Sequence, residues 1–194
     1  MINVLYQPFP DYVEIDGKRY PIITDFREWL RFSALMDSEL SNTEKAILML
    51  ELYKDKVPDN VPLAIEALGT FFVGYELYGK QKVYSEEEEH TERREEPVYD
   101  YEQDSADIYS SFLSCYGIDL IEVQYMHWYK FRILFETLPG DSNIKQKIYY
   151  RSVDLNKIKN KEERKRIREI KESIKIIKKR DIQLSDYDIG DVFS

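Results

Sequence analysis

The sequence predicts a mainly α-helical protein with an N-terminal β-hairpin and a long basic C-terminal helix. Three observations carry this. Asp16-Gly17 stands between two runs of strand formers, and Asp-Gly is a favoured hairpin turn because both central residues take positive φ. Capping residues then recur ahead of apolar runs with helical spacing. Last, Ile167, Ile170, Ile174 and Ile177 repeat at intervals of three, four and three among lysines and arginines, which is a helical seam.

The hairpin pairs Tyr12-Val13-Glu14-Ile15 with Lys18-Arg19-Tyr20-Pro21-Ile22. Pro21 has no N–H to give a ladder, so it belongs at a strand end. A first helix starts at Thr24 or Asp25 and gathers Phe26, Trp29, Leu30, Ser33 and Met36 on one face. Ser41, with Glu44 three residues on, forms a capping box. The helix it opens should be largely buried through Ile47, Leu48, Leu50 and Leu52. A third helix starts near Asn60, with Pro62 in the first turn, where a missing N–H costs nothing. It runs through Leu68, Phe71 and Phe72 to about Gly79.

Residues 85–97 carry seven glutamates and little to bury, so they read as a mobile acidic loop. A fourth helix then spans Asp100 to Tyr116, ended by Gly117 in the left-handed region. Asp119 caps a fifth that reaches about Leu138, where Pro139-Gly140 stops it. A short helix covers Ser142 to Tyr150, and Asp154 opens the basic helix to about Arg180. The division expected is a helical domain with its hairpin over residues 1–153, and a basic helix with an acidic tail over 154–194. Trp29, Phe72, Phe112, Trp128 and Phe131 are the expected core.

Charge follows the same division. The 194 residues carry a net charge of -9. Residues 1–100 hold 11 basic and 21 acidic side chains, and residues 145–180 hold 15 basic and 5 acidic. An acidic body with a basic arm counts against whole-surface nucleic-acid binding. The longest run free of Asp, Glu, Lys and Arg is Ile108 to Ile118, too short to span a bilayer as a helix. No basic stretch precedes apolar residues at the start, so no secretory signal is expected. Cys115 is the single cysteine, so no internal disulfide forms and a reducing cytoplasm is the expected setting.

No constellation for catalysis stands out. His90 lies in the glutamate run, and His127 falls on the core side of the fifth helix. Cys115 reads as a small buried hydrophobe. Glu102, Asp104 and Asp107 have the composition of a divalent-ion site, but acids also favour the positive N-terminus of a helix. No phosphate-binding loop, dinucleotide fingerprint or zinc motif is present, and no cofactor is called for.

The fifth helix, projected at 100° per residue, has Leu120, Ile121, Trp128, Phe131, Leu134 and Phe135 on a core side. Glu122, Lys130, Arg132 and Glu136 make a charged stripe. Val123, Met126, Tyr129 and Ile133 fall within or beside that stripe, and an apolar strip among charges is a candidate partner surface. The isoleucine seam 167, 170, 174 and 177 is the second candidate. The bases around it suit either phosphate or a solvated helix docked by its seam. No aromatic residue interleaves them between Arg151 and Arg180, which favours protein contacts.

Several blocks resemble a known family. They are Tyr101-Glu102-Gln103-Asp104, Ile108-Tyr109, Phe112, Tyr116-Gly117-Ile118-Asp119-Leu120, His127-Trp128-Tyr129-Lys130-Phe131, Leu138-Pro139, Tyr150-Arg151 and Asp154-Leu155, with Thr24-Asp25-Phe26-Arg27-Glu28-Trp29 nearer the start. Together they resemble the bacteriophage "gene product fifteen" family of Gram-positive phages and prophages. Family members often have a second Trp where Tyr129 stands. The resemblance implies a place in the tail gene cluster just before the tape measure gene, and so a non-catalytic tail assembly chaperone in the host cytoplasm. Its partners would be the tape measure protein, the tail tube protein and further copies of itself. The alternatives are a structural component of the tail or baseplate, and a nucleic-acid-binding regulator that uses the basic helix.

Overall fold

The computed structural model describes residues 2–78 and 97–177. The acidic stretch 85–96, with His90, and the acidic tail from 181 lie outside the described residues. The protein is mainly helical with an N-terminal two-stranded antiparallel hairpin, as the sequence predicts. The described residues divide into two compact units, one formed by 2–78 with 112–138 and the other by 97–111 with 139–177.

In the first unit, β1 (Tyr12–Ile15) pairs with β2 (Lys18–Pro21), Ile15 opposite Lys18 and Tyr12 opposite Pro21. The turn takes φ +50° at Asp16 and +71° at Gly17, the double positive φ that Asp-Gly tolerates best. The chain continues past β2 against residues 52–54, where Ile23 N–H donates to Leu52 and Lys54 N–H to Pro21.

Helix α1 (Phe26–Met36) is capped by Asp25, whose Oδ1 accepts the Arg27 N–H at 3.0 Å. Helix α2 (Asn42–Leu50) carries the full capping box between Ser41 and Glu44. The expectation that α2 is largely buried fails. Of its own residues only Met49 is buried, and Ile47 and Leu48 face water. Ala46 to Leu50 is a run of five apolar residues, and five consecutive helix positions point in every direction. A helix packed on one side must leave some of them outside.

Helix α3 (Val61–Phe72) starts at Asn60 with Pro62 in its first turn. It ends at Phe72 rather than continuing to Gly79, because Gly74 takes φ +72°. The short α4 (Tyr75–Tyr78) follows. The freed Phe72 carbonyl accepts from Trp128 Nε1 at 3.0 Å and from Arg132 Nη1 at 2.9 Å. This satisfies a helix-end acceptor that would otherwise be left dry.

Helix α5 (Ser105–Tyr116) starts later than Asp100, whose carboxylate accepts the N–H groups of Glu102 and Gln103 and so makes a separate turn. Gly117 ends α5 at φ +64°. The fifth predicted helix is the largest correction. Asp119 caps only a turn, through the N–H groups of Ile121 and Glu122. Regular helix, α6, covers Trp128–Glu136.

The core of this unit is aromatic. Trp29, Phe112, Trp128, Tyr129 and Phe131 are fully buried. Trp128 stacks on Phe72 at 5.3 Å, Phe131 on Phe26 at 4.9 Å and on Phe112 at 5.1 Å. Offset ring pairs of this kind add to the area buried by the rings themselves.

The second unit holds α7 (Asn143–Ser152), a 3-10 turn (Leu155–Lys157) and α8 (Lys161–Ser173). Asp154 caps the 3-10 turn, and Asn160 caps α8 through the N–H groups of Glu162 and Glu163. The basic helix is therefore shorter than residues 154–180. Ile174 already leaves helical geometry, and residues 178–180 lie outside the described residues.

Candidate functional site

The chain between α5 and α6 stays irregular because other groups hold it. Phe26 N–H donates to the Met126 carbonyl at 2.9 Å, and Trp128 N–H to the Thr24 carbonyl at 2.8 Å. Arg27 reaches across with Nη2 to the carbonyls of Leu120 at 2.9 Å and Val123 at 2.6 Å. These carbonyls are thus paired without a helix, those of Leu120 and Val123 by one guanidinium and those of Met126 and Thr24 by backbone N–H groups.

His127 sits at the hinge into α6. Its Nδ1 accepts the Tyr129 N–H at 3.0 Å, so it caps α6, and Nε2 lies 3.0 Å from the Pro10 carbonyl. With Nδ1 accepting, Nε2 carries the proton and donates to Pro10. Phe9 stacks on the ring at 4.9 Å. Burial pushes the His127 pKa below its ordinary value, only partly offset by the Pro10 carbonyl and by Asp11. This is a structural histidine with both ring nitrogens in use.

The first candidate strip dissolves in this geometry. Met126 is only 2% exposed and Tyr129 is fully buried, while Val123 and Ile133 are half-buried. The projection that placed them outside assumed helix from residue 119. Ile121, assigned there to the core, is exposed. Arg132, assigned to the solvated stripe, holds the end of α3. Cys115 is exposed rather than buried.

The isoleucine seam is mostly covered within its own unit. Ile167, Ile170 and Ile174 are half-buried, and Ile177 is exposed. Lys171 Nζ donates to the Val153 carbonyl at 3.1 Å, and Arg151 Nε to the Ile174 carbonyl at 2.7 Å.

The acids at the start of α5 are matched by cations from α7. Asp104, 1% exposed, pairs with Arg151, and Lys147 bridges Asp104 and Asp107. Burial alone would raise the Asp104 pKa. Hydrogen bonds from Arg151, the Asp100 N–H and Lys147, with the Arg151 charge, outweigh it and hold the carboxyl below its usual range. Hydrogen bonding to Asp107 conversely raises Lys147. Among the described residues no group of three or more His, Cys, Asp or Glu is placed to hold a metal ion.

What the sequence missed is an outward apolar surface in the first unit. Ile47 is 59% exposed and Leu48 42%, and Met36 and Leu40 at the end of α1 and in the connector are exposed as well. Lys45 Nζ donates to the Met36 carbonyl at 2.7 Å, which brings the start of α2 beside the end of α1. Met49, Ala46 and Leu50 turn inward, so Ile47 and Leu48 share the outer face with Glu44 and Glu51. The signal was present as an apolar run wider than one helix face.

A second concave feature lies between β1 and α3. Leu63, Glu66, Ala67 and Thr70 form a ridge at intervals of three, one and three on α3, facing Val13 to Asp16 of the hairpin. On helical geometry such positions share one face.

Fold and surface together define a mainly helical protein with a buried aromatic core, an internal Asp–Arg–Lys cluster and outward apolar side chains. The chain belongs to the family described as bacteriophage Gp15 protein, whose model matches residues 5–176. It is thus a phage protein of a family not known for enzymes. No curated protein and no solved structure matches it. Among the described residues no helix is long and apolar enough to cross a membrane.

Proposed function

We propose that this chain is a non-catalytic tail assembly chaperone that binds the tape measure protein while the tail is built, in the cytoplasm of the host. The observation that carries the reading is the exposed apolar face of α2. Ile47 and Leu48 stand open on a helix whose inner side is already packed. Large exposed apolar side chains rimmed by Glu44 and Glu51 suit transient contact with another apolar helix. Exposed Met36 adds an adaptable thioether at the same end of the unit. Family membership supplies the phage setting. The tail tube protein and further copies of this chain are secondary partners in this reading.

The two surfaces expected from the sequence give this reading little help. Met126 and Tyr129 are core residues, and the Ile167, Ile170 and Ile174 seam is partly used within its own unit. Mass spectrometry of purified virions tests the role. A chaperone is absent from the mature particle. Stoichiometric amounts there would make the chain a structural component of the tail.

A further inference from the structure

We propose that the outer face of α2 selects an amphipathic helix of another protein, one with lysine or arginine at two positions seven apart and an apolar pair midway between them. The inference rests on the reading that α2 is the docking surface for the client, and it names that client's chemistry.

The face is made by Glu44, Ile47, Leu48 and Glu51, at intervals of three, one and three. At 100° per residue these four fall within about 100° of arc, and Glu51, the C-cap, still has helical backbone angles. All four are exposed, while Met49 on the opposite side is buried. Each glutamate lies three or four residues from both apolar side chains, so it neighbours both. Exposed Met36 and Leu40 widen the apolar area at the Glu44 end.

The two carboxylates keep their charge. Ser41 donates its N–H and its hydroxyl to Glu44 Oε2, at 2.9 and 2.6 Å, which fixes the carboxylate and lowers its pKa. Lys45, next along the chain, gives its Nζ to the Met36 carbonyl instead. Among the described residues neither Glu44 nor Glu51 forms an ion pair.

The pattern reads the same in both directions, and that selects its occupant. A second copy paired about a two-fold axis would set Glu44 against Glu51 with the helices antiparallel, and each glutamate against its own counterpart with them parallel. Both arrangements place like charges beside the apolar contact. A purely apolar helix would strip water from the carboxylates and give nothing back. A helix with a cation opposite each glutamate and apolar side chains between satisfies the whole face, whichever way it runs. Lysine and arginine stems also cover apolar surface while their heads stay at the wet edge.

The test is fluorescence anisotropy with the full chain and a labelled helical peptide of about 15 residues, long enough to hold a helix. It carries lysine at every seventh position and a leucine pair midway between. Its counterpart has glutamate for each lysine, and should bind at least about tenfold more weakly. Glu51→Lys should weaken the lysine peptide about fivefold and strengthen its counterpart. This change puts a cation at a helix C-terminus, where the dipole favours it. Glu44→Gln keeps the capping box and should give a smaller loss. Ile47→Ser/Leu48→Ser should abolish binding. Equal binding of the two peptides, or indifference to Glu51→Lys, would overturn the proposal. So would a wild-type dimer in sedimentation that Ile47→Ser/Leu48→Ser dissolves, since a second copy would then be the occupant. Co-expression with the tape measure protein separates this inference from the chaperone reading. Tape measure protein that pellets with Ile47→Ser/Leu48→Ser but stays soluble with Glu44→Gln/Glu51→Lys would overturn the inference and leave the reading standing. Tape measure protein that pellets even with the wild type, while the peptides bind as expected, would sink the reading and support the docking chemistry.

Discussion

Arg151 grips Asp104 with two nitrogens, Nη2 lying 2.9 Å from Oδ1 while Nη1 reaches Oδ2, and both side chains are almost wholly out of water. The same guanidinium also donates to the carbonyls of Ile174 and Val98. One residue of α7 thus fastens the start of α5, the segment before it and the end of the basic helix.

Replacing Arg151 with Met should therefore destabilise the protein by about 3 kcal/mol, the low end of the usual cost of breaking a buried pair, because Lys147 and the Asp100 N–H still hold Asp104. Arg151→Lys should recover little, because an ammonium cannot serve two carboxylate oxygens and two carbonyls in one plane. Urea denaturation measures both.

Acid should reach this cluster late. The Asp104 pKa is lowered in the folded state, so its contribution is present above the unfolded carboxylate value of about 3.9. It is lost only as pH falls through the folded value. In Asp104→Asn the slope of stability against pH below about 4 should flatten.

His127 should act at milder pH. Its folded pKa is depressed, so between that value and the unfolded value of about 6.5 the unfolded chain binds more protons. Stability should hold above that pH and fall as pH drops through it. Protonation also turns Nδ1 into a donor facing the Tyr129 N–H. His127→Asn keeps a capping side chain but loses the titration, so its melting temperature should vary less between pH 7 and 5, as thermal melts will show.

Much of the fold was legible because local chemistry decided it. Asp16-Gly17, the Ser41–Glu44 box, Asn60 with Pro62, and Gly117 each fix a backbone feature by themselves. The errors arose where distant groups decide. Arg27 and the pairing of residues 24–26 with 126–128 keep 119–127 out of a helix, although its pattern is helical. A helix from residue 119 would turn Met126 and Tyr129 toward the charged side; without it both are core. The surface on α2 was missed for a different reason. An apolar residue is read as buried by default, yet the area available to cover α2 is set by its neighbours, not by its own sequence.

Trp128 tests the aromatic core. It is buried, stacks on Phe72 and donates to the Phe72 carbonyl. Trp128→Ala should cost about 3–5 kcal/mol, read by denaturant titration. Gly117→Ala meets no atom within 4 Å, so its cost should be only that of a left-handed alanine, about 1–2 kcal/mol.

In the chaperone reading, exposed Ile47 and Leu48 hold the apolar client. Ile47→Ser/Leu48→Ser should leave stability within about 0.5 kcal/mol per site, as exposed positions do. The most direct measurement is the solubility of the tape measure protein from the same phage when the two genes are expressed together. Soluble tape measure protein is expected with the wild-type chain, and pelleted protein with Ile47→Ser/Leu48→Ser or with no partner. Tape measure protein that pellets regardless of the wild-type chain, or stays soluble without it, would rule out the chaperone role.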